Sequence, residues 1–119
     1  MLIHILQIEA IPGGRLLSAS SDKTIILWDV NTQPAISSTV YKGHTDSIAT
    51  LAVADTQILS AAGSRIGVAP IQEGTSMKIP VMRELKKMPL RGSISAMLWL
   101  SYSQSLLVGL DDGQIRVCI

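Results

Sequence analysis

The sequence predicts an all-β protein made of about three four-stranded antiparallel blades. One pattern of apolar and turn residues recurs three times at intervals of roughly 40 residues, a period typical of repeat architectures. Short apolar runs alternate with turn residues along the whole chain, as expected of short strands. The 119 residues are 47% hydrophobic and only 3% aromatic, which suits thin, closely packed sheets and argues against disorder.

Each repeat contains an apolar pair, a stretch of small residues, a polar turn and a second alternating strand. A further short apolar run precedes each repeat, and turn residues separate the two. The repeats cover residues 16–29, 58–68 and 106–117; the preceding runs cover 5–10, 48–53 and 94–100; the turns cover 12–14, 54–56 and 101–104. The pattern in each unit therefore predicts three consecutive inner strands.

Two more segments supply a fourth, outer strand to the first and second units. They cover residues 35–41 and 77–83. Four strands in one unit form a blade of a β-propeller. The prolines that fall at or near these outer strands are compatible with edge positions, where a missing N–H is tolerated: Pro34, Pro70, Pro80 and Pro89. A helix over residues 82–88 is the alternative, but it would make only about two turns, too short to be stable alone.

Charge and cysteine content exclude several classes of protein. Ten Lys and Arg against nine Asp and Glu give a formal charge of +1, which does not favour nucleic acid or acidic lipid as a partner. Cys118 is the single cysteine, so no intramolecular disulfide forms, and a cytoplasmic or nuclear location is expected. The apolar residues 1–8 are interpreted as a buried strand, and no apolar run is long enough to predict a transmembrane segment.

The first repeat resembles the WD-repeat family, whose repeats extend from a Gly-His pair to a Trp-Asp pair. Trp28 and Asp29 end the first repeat, and Gly43 and His44 precede the second; the stretch over residues 18–29 is the most recognisable. The resemblance implies a buried relay in which a His, a Ser or Thr, a turn Asp and a Trp satisfy one another. The residues that match this pattern are Ser18, Asp22, Trp28, Asp29, Gly43, His44, Ser60 and Asp112.

The match to the family pattern weakens along the chain. In the first repeat the relay His would fall at or before Met1. In the second, Gly63 stands at the Asp position and residues 69–70 replace the Trp-Asp pair. In the third, residues near 91–92 replace the Gly-His pair and residues 118–119 occupy the Trp-Asp positions.

The expected domain organisation is one partial propeller over residues 1–119, with repeats at about 1–42, 43–89 and 90–119. Three blades do not close a ring, since propellers have about four to eight blades. Either the chain is a fragment of a longer propeller, which is the favoured interpretation, or copies or a partner chain complete the ring. Self-association through open blade edges follows from the second interpretation.

The sequence predicts no catalytic, metal or cofactor site. His4 and His44 lie in no recognisable metal or nucleophile motif, and both are interpreted as structural. Residues 111–113, Asp-Asp-Gly, are interpreted as a tight turn rather than a carboxylate pair. We therefore expect no enzymatic activity and no cofactor.

A local excess of positive charge marks the link between the second and third blades and is a candidate partner-binding patch, although a solvated edge is the simpler interpretation. It comprises Lys78, Arg83, Lys86, Lys87 and Arg91. The loops over residues 42–46 and 88–93 are the other candidate contacts for a peptide. Aromatic residues do not alternate with these charges, which disfavours single-stranded nucleic acid.

The resemblance implies a non-catalytic scaffold that mediates protein–protein interactions in a multiprotein complex, with protein or peptide partners. Two alternatives stay open: a propeller fragment of a larger multi-domain protein, even an enzyme whose catalytic part lies elsewhere, and a degenerate or truncated copy without independent activity. If the Trp28 indole is fully buried, Trp28→Ala costs about 3–5 kcal/mol. Lys86→Ala should leave the stability nearly unchanged.

Overall fold

The computed structural model describes residues 4–74, 76–84 and 93–118, which form twelve strands. The first seven are β1 Ile5–Ile11, β2 Arg15–Ser20, β3 Ile25–Asp29, β4 Ile36–Lys42, β5 Thr50–Ala54, β6 Gln57–Ala62 and β7 Arg65–Pro70. The others are β8 Met77–Lys78, β9 Val81–Glu84, β10 Ile94–Leu100, β11 Ser105–Leu110 and β12 Ile115–Cys118.

The strands form three sheets that follow one another along the chain. Blade 1 has the strand order β1-β2-β3-β4-β8, blade 2 the order β5-β6-β7-β9, and blade 3 the order β10-β11-β12. Strands that are consecutive within each blade pair antiparallel, apart from β8, which pairs parallel with β4. The prediction of all-β propeller blades in an open array is confirmed.

The blades have matching registers, so equivalent positions can be identified from the pairing. Ser18 lies opposite Ile26 in blade 1, and Ser60 lies opposite Gly67 in blade 2. In blade 3 the same position is taken by Val108, opposite Arg116. The Cα pairings of the inner strands therefore identify equivalent residues in the three blades.

The predicted outer strand over residues 77–83 is wrong as a single strand, because it is divided near Pro80. Met77–Lys78 leaves blade 2 and pairs with Tyr41 and Lys42 of blade 1, whereas Val81–Glu84 is the fourth strand of blade 2. The Ile79 N–H donates to the Lys42 carbonyl over 2.8 Å, which extends the link to blade 1. The alternative helix over residues 82–88 is also wrong for residues 82–84, which belong to β9; residues 85–88 lie outside the described residues.

Side-chain hydrogen bonds strengthen this link between the outer edge of blade 1 and the segment that follows β7. Thr39 Oγ1 donates to the Gln72 carbonyl over 2.7 Å, and Tyr41 Oη donates to the Pro70 carbonyl over 2.9 Å. Both Thr39 and Tyr41 are buried. The outer edge of blade 1 is therefore covered by a segment that belongs to blade 2 in the sequence.

The hydrophobic core consists of two clusters, each between neighbouring blades. We call the side of a blade that meets the next blade its front face, and the opposite side its back face. The front face of blade 1, with Leu17 and Leu27, packs against the back face of blade 2, with Leu51 and Ile58. A second cluster joins the front face of blade 2 to the back face of blade 3. Burial of this apolar area is the main force that holds the blades together.

Polar contacts add to each interface. The Gln7 side chain pairs with the backbone of Leu51, because its Nε2 donates to the Leu51 carbonyl and its Oε1 accepts from the Leu51 N–H, both over 3.0 Å. Between blades 2 and 3, the Ile94 N–H donates to the Gly63 carbonyl over 2.8 Å. These contacts fix the position of each blade relative to its neighbour.

In the part of the chain that the structure describes, one face at each end of the array is uncovered. The open back face of blade 1 comprises Ile8, Leu16, Ile26, Trp28 and Val40. The open front face of blade 3 comprises Leu98, Leu100, Leu107, Ile115 and Val117. The expectation of a fully buried Trp28 is wrong for this reason, since its indole lies on an open face and is only partly buried.

Candidate functional site

In blade 1 the relay consists of a Trp–Ser pair. Trp28 Nε1 donates to Ser18 Oγ over 2.9 Å, across the pairing of β2 with β3. Ser18 is buried, so its hydroxyl needs a partner within the protein. The indole N–H supplies that partner and ties the third strand to the second.

Asp22 does not join this pair. It is exposed in the turn after β2, where its Oδ1 accepts hydrogen bonds from the Thr24 hydroxyl over 2.6 Å and from the Thr24 N–H over 3.0 Å. The hydrogen bond from the Thr24 hydroxyl is the main reason that the pKa of Asp22 is lowered. Asp29, at the end of β3, likewise stabilises a turn, because its Oδ1 accepts from the Asn31 N–H. Both carboxylates therefore stabilise turns.

In blade 2 the relay consists of a His–Ser pair. His44 Nε2 lies 2.7 Å from Ser60 Oγ, and both residues are buried. Among the described residues no hydrogen-bond partner reaches the buried His44 Nδ1. Burial lowers the pKa of His44, with the positive charge of Arg65 acting in the same direction and the negative charge of Asp46 against it. Burial therefore favours the neutral form of the ring.

Two glycines make room for this histidine. Gly67 faces the pair, and a Cβ there would lie 2.9 Å from Ser60 Oγ and 3.0 Å from His44 Nε2. Gly43, just before His44, has a φ of +141°, which disfavours any side chain. The Trp position of blade 1 is occupied in blade 2 by Ala69, as the register shows.

Blade 3 keeps the turn but replaces the relay with apolar packing. Val108 takes the Ser position and is fully buried, and Cys118 takes the Trp position in the register. Asp112 Oδ1 accepts from the Gln114 N–H over 3.0 Å, as Asp22 does from Thr24 in blade 1. The tight turn expected at residues 111–113 is present, with Gly113 at a φ of +90°.

The structure separates the two described members of the basic patch. Lys78 lies in β8 on the outer edge of blade 1, beside Lys42 in the register, and Arg83 lies in β9 on the outer edge of blade 2. Both are exposed. Lys86, Lys87 and Arg91 lie outside the described residues, as does most of the predicted loop over 88–93. In the loop over 42–46, His44 is buried and the other residues are exposed.

A groove that the sequence did not predict runs along the inner strands of all three blades. It has a volume of about 260 Å³ and is lined by Gln7, Glu9, Leu51, Ala52, Val53, Met97, Leu98 and Trp99. Glu9 is the one charged residue in this lining, and its carboxylate accepts from Gln7 Nε2 over 3.1 Å. Trp99 Nε1 is buried and, among the described residues, has no acceptor. No motif in the sequence marks this groove, because its residues come from three separate repeats.

Comparison with known proteins agrees with this geometry. The family model for the WD domain, G-beta repeat, matches residues 4–29, which contain the Trp28–Ser18 pair. The chain is 31% identical over 115 residues to human WD repeat-containing protein 81, an alignment that covers 95% of this chain. The chain belongs to the WD-repeat family. The fold, the register and the first repeat therefore all indicate WD repeats.

Other relatives of this WD-repeat chain are large proteins. It is 22% identical to Arabidopsis thaliana Protein GFS12 over 97% of its length, and 24% identical to a probable inactive serine/threonine-protein kinase, lvsG, of Dictyostelium discoideum over 89%. The aligned region makes up 8% of the first, 5% of the second and 6% of the human protein. The chain thus spans a small part of the curated relatives that it matches.

A solved structure shares the fold. The crystal structure of the computationally designed Ika4 protein superposes with a TM-score of 0.68 at 20% identity, covering 92% of this chain and 62% of the designed one. Within residues 4–74, 76–84 and 93–118, no helix is long and apolar enough to cross a membrane. In the same part of the WD-repeat chain, no group of three or more His, Cys, Asp or Glu side chains could hold a metal ion.

Proposed function

We propose that this chain is the blade region of a non-catalytic WD-repeat scaffold that mediates protein–protein interactions in a multiprotein complex. WD repeats typically act as protein-interaction scaffolds. The groove along the inner strands of the three blades carries the proposal, because it offers a concave surface held on rigid strands rather than on loops. The His44–Ser60 and Trp28–Ser18 pairs stabilise β6 and β2, which pair with the groove strands β5 and β1.

The chemistry of the groove favours a peptide that presents a basic side chain. Glu9 supplies a carboxylate, and the rest of the lining is uncharged. Met97 and Leu98 provide apolar surface for the aliphatic part of a Lys or Arg side chain, which commonly packs in this way while its charge stays paired. The buried indole N–H of Trp99, which has no acceptor among the described residues, is a donor beside the same groove.

Affinity capture with a charge-reversed groove tests the proposal. The tagged chain, its Glu9→Arg variant and a Glu73→Arg control would be expressed in the source cells, and captured proteins would be quantified by mass spectrometry. Glu73 is exposed and does not line the groove, so it is a matched carboxylate. We expect at least one protein to be captured by the wild type and the control, and to be depleted about tenfold by Glu9→Arg. A tenfold loss of affinity corresponds to about 1.4 kcal/mol of binding free energy.

Two results would count against the proposal. If Glu9→Arg captures the same proteins in the same amounts as the wild type, the groove is not the contact surface. If the folded wild-type chain captures no protein above background, the chain does not act as a scaffold by itself, which is the outcome expected of a degenerate copy.

A second candidate function rests on the length of the relatives. Because the aligned region is only 5–8% of proteins that include a probable inactive kinase, we propose as the alternative that these blades belong to a larger multi-domain protein. Immunoblotting of the source cells with an antibody raised against the purified chain distinguishes the two. A product many times larger than 119 residues would favour the alternative, and a product of the chain's own size would contradict it.

A further inference from the structure

A side-chain amide of blade 1 binds the inner strand of blade 2. Gln7 Nε2 donates to the Leu51 carbonyl, and Gln7 Oε1 accepts from the Leu51 N–H, both over 3.0 Å. Both backbone groups of Leu51 therefore point out of the β5–β6 ladder and towards the groove that Gln7 and Leu51 line. A primary carboxamide thus recognises the groove edge of β5 by two hydrogen bonds at once.

The register places Met97 of blade 3 at the position that Leu51 occupies in blade 2. Leu51 lies opposite Ser60 in the neighbouring strand. Met97 lies opposite Val108, which takes the position of Ser60 in blade 3. Pairs along an antiparallel ladder alternate between hydrogen-bonded and non-hydrogen-bonded, so residues of equal register direct their backbone groups in the same way. The N–H and C=O of Met97 are therefore directed out of the ladder, at the edge of β10 that lines the groove.

Blade 2 does not repeat this amide contact towards blade 3. Gln7 lies opposite Ala19, and its counterpart in blade 2 is Thr50, which lies opposite Ala61. Threonine has no amide, and its side chain is too short to span the distance that glutamine spans. The structure describes both blades at this contact, so the difference lies within the array rather than at one of its ends.

The groove beside Met97 suits a neutral polar group. The neighbouring lining residues Ala52, Leu98 and Trp99 are uncharged, and Glu9 is the one charged residue of the groove. An amide needs no counter-ion in such surroundings, and its hydrogen bonds are stronger in an apolar groove than in water. The buried indole N–H of Trp99, which has no acceptor among the described residues, lies further along the same strand.

We propose that the groove edge of β10 at Met97 binds the primary carboxamide of a glutamine or asparagine side chain in a partner peptide. This inference rests on the proposed function, because it names a second group by which a peptide in the groove is recognised. The amide N–H donates to the Met97 carbonyl and the amide oxygen accepts from the Met97 N–H, as Gln7 does at Leu51. The partner peptide thus carries a basic residue for Glu9 and an amide residue for Met97.

Synthetic peptides test this inference on the purified full chain. Short peptides with one Lys and one Gln, separated by a variable number of glycines, would be compared with peptides in which Met replaces the Gln. Methionine has nearly the same length but cannot form the two hydrogen bonds. Fluorescence polarisation of the labelled peptides gives the dissociation constants. For at least one spacing we expect the Gln peptide to bind about tenfold more tightly, as expected of two hydrogen bonds between neutral groups.

A variant that supplies the amide from within the chain gives a second test. Thr50→Gln places an amide at the position that corresponds to Gln7, where it should occupy the backbone groups of Met97. The Gln and Met peptides should then bind this variant equally. Thr50→Val is the control, because valine keeps the shape of threonine, so the preference for the Gln peptide should remain. Circular dichroism checks that both variants fold, and the comparison of peptides on the wild type decides if Thr50→Gln does not.

The outcomes separate this inference from the proposed function. If the wild type binds the Lys-containing peptides but shows no preference for Gln at any spacing, Met97 binds no amide, and the proposed function stands without it. If none of the peptides binds, or if Glu9→Arg binds them as tightly as the wild type, the proposed function fails and this inference fails with it. A preference for Gln that is undiminished in folded Thr50→Gln would show that the amide binds elsewhere.

Discussion

Blades 1 and 2 each keep a different half of the same polar relay. In both, a buried serine stands at the same position of the second strand, as Ser18 in one and Ser60 in the other. In blade 1 the serine hydroxyl is hydrogen-bonded to the Trp28 indole on the third strand. In blade 2 it is hydrogen-bonded to the His44 ring, which comes from the loop before the first strand. The serine is therefore the constant element, and its partner can come from either side.

The two hydrogen-bonded pairs differ in how deeply they are buried. The Trp28–Ser18 pair lies on the open back face of blade 1, where the indole is only partly buried. The His44–Ser60 pair is on the covered back face of blade 2, with Gly67 directly against it. Water cannot replace a hydrogen bond that is lost in the buried His44–Ser60 pair. We therefore expect substitutions in this pair to lower the stability more than those in the Trp28–Ser18 pair.

The largest effect is expected at Gly67. Gly67→Ala should lower the free energy of unfolding by about 2–3 kcal/mol, because the added methyl group presses on Ser60 Oγ and His44 Nε2 and must displace them. Chemical denaturation monitored by circular dichroism measures the change. Gly74→Ala is the matched control, since a Cβ at Gly74 meets nothing within 4 Å. Equal effects of the two substitutions would show that the space around the histidine is not restricted.

Removing the serine hydroxyl compares the two pairs directly. Ser60→Ala should cost about 1–3 kcal/mol, because it leaves the buried His44 ring without its partner. Ser18→Ala should cost about 1 kcal/mol, since the partly buried indole lies on an open face that water can reach after the change. Denaturation curves of the two variants measured side by side would give the difference, and a larger loss for Ser18→Ala would reverse the comparison.

The smallest effect is a pH dependence confined to blade 2. Because the folded pKa of His44 is lowered, chiefly by burial, the unfolded chain takes up a proton first as the pH falls. The contribution of neutral His44 to stability is present above the unfolded pKa, about 6.5, and is lost as the pH falls from there through the folded pKa. His44→Gln should therefore lose less stability than the wild type between pH 7 and pH 5 in the same denaturation assay. Parallel pH profiles would contradict this assignment.

Much of the fold follows from patterns within single repeats. The alternation of apolar residues located the inner three strands of each blade, and the register places Ala69 and Cys118 opposite the expected Trp positions. The Asp-Asp-Gly turn was predictable because Gly113 supplies the positive φ that a tight hairpin requires. Such features depend on residues close together in the sequence.

Features that depend on distant segments could not be predicted. Nothing in Met77–Lys78 indicates that it pairs with blade 1 rather than blade 2, because a two-residue strand carries no periodic signal. The family pattern places Asp22 in the relay, but it does not reveal that the side chain bonds to its own turn. Glu9 lies in no motif, and only the fold brings β1, β5 and β10 together to line one groove.

The crossing of β8 onto blade 1 has a consequence for how the chain folds during synthesis. The outer strand of blade 1 ends at Lys42, but Tyr41 and Thr39 obtain their hydrogen-bond acceptors from residues 70 and 72, and β4 obtains its neighbour at Met77. When the first four strands have left the ribosome, the outer edge of that sheet is still bare. Blade 1 is completed only after translation has passed Ile79, so it is completed during the synthesis of blade 2.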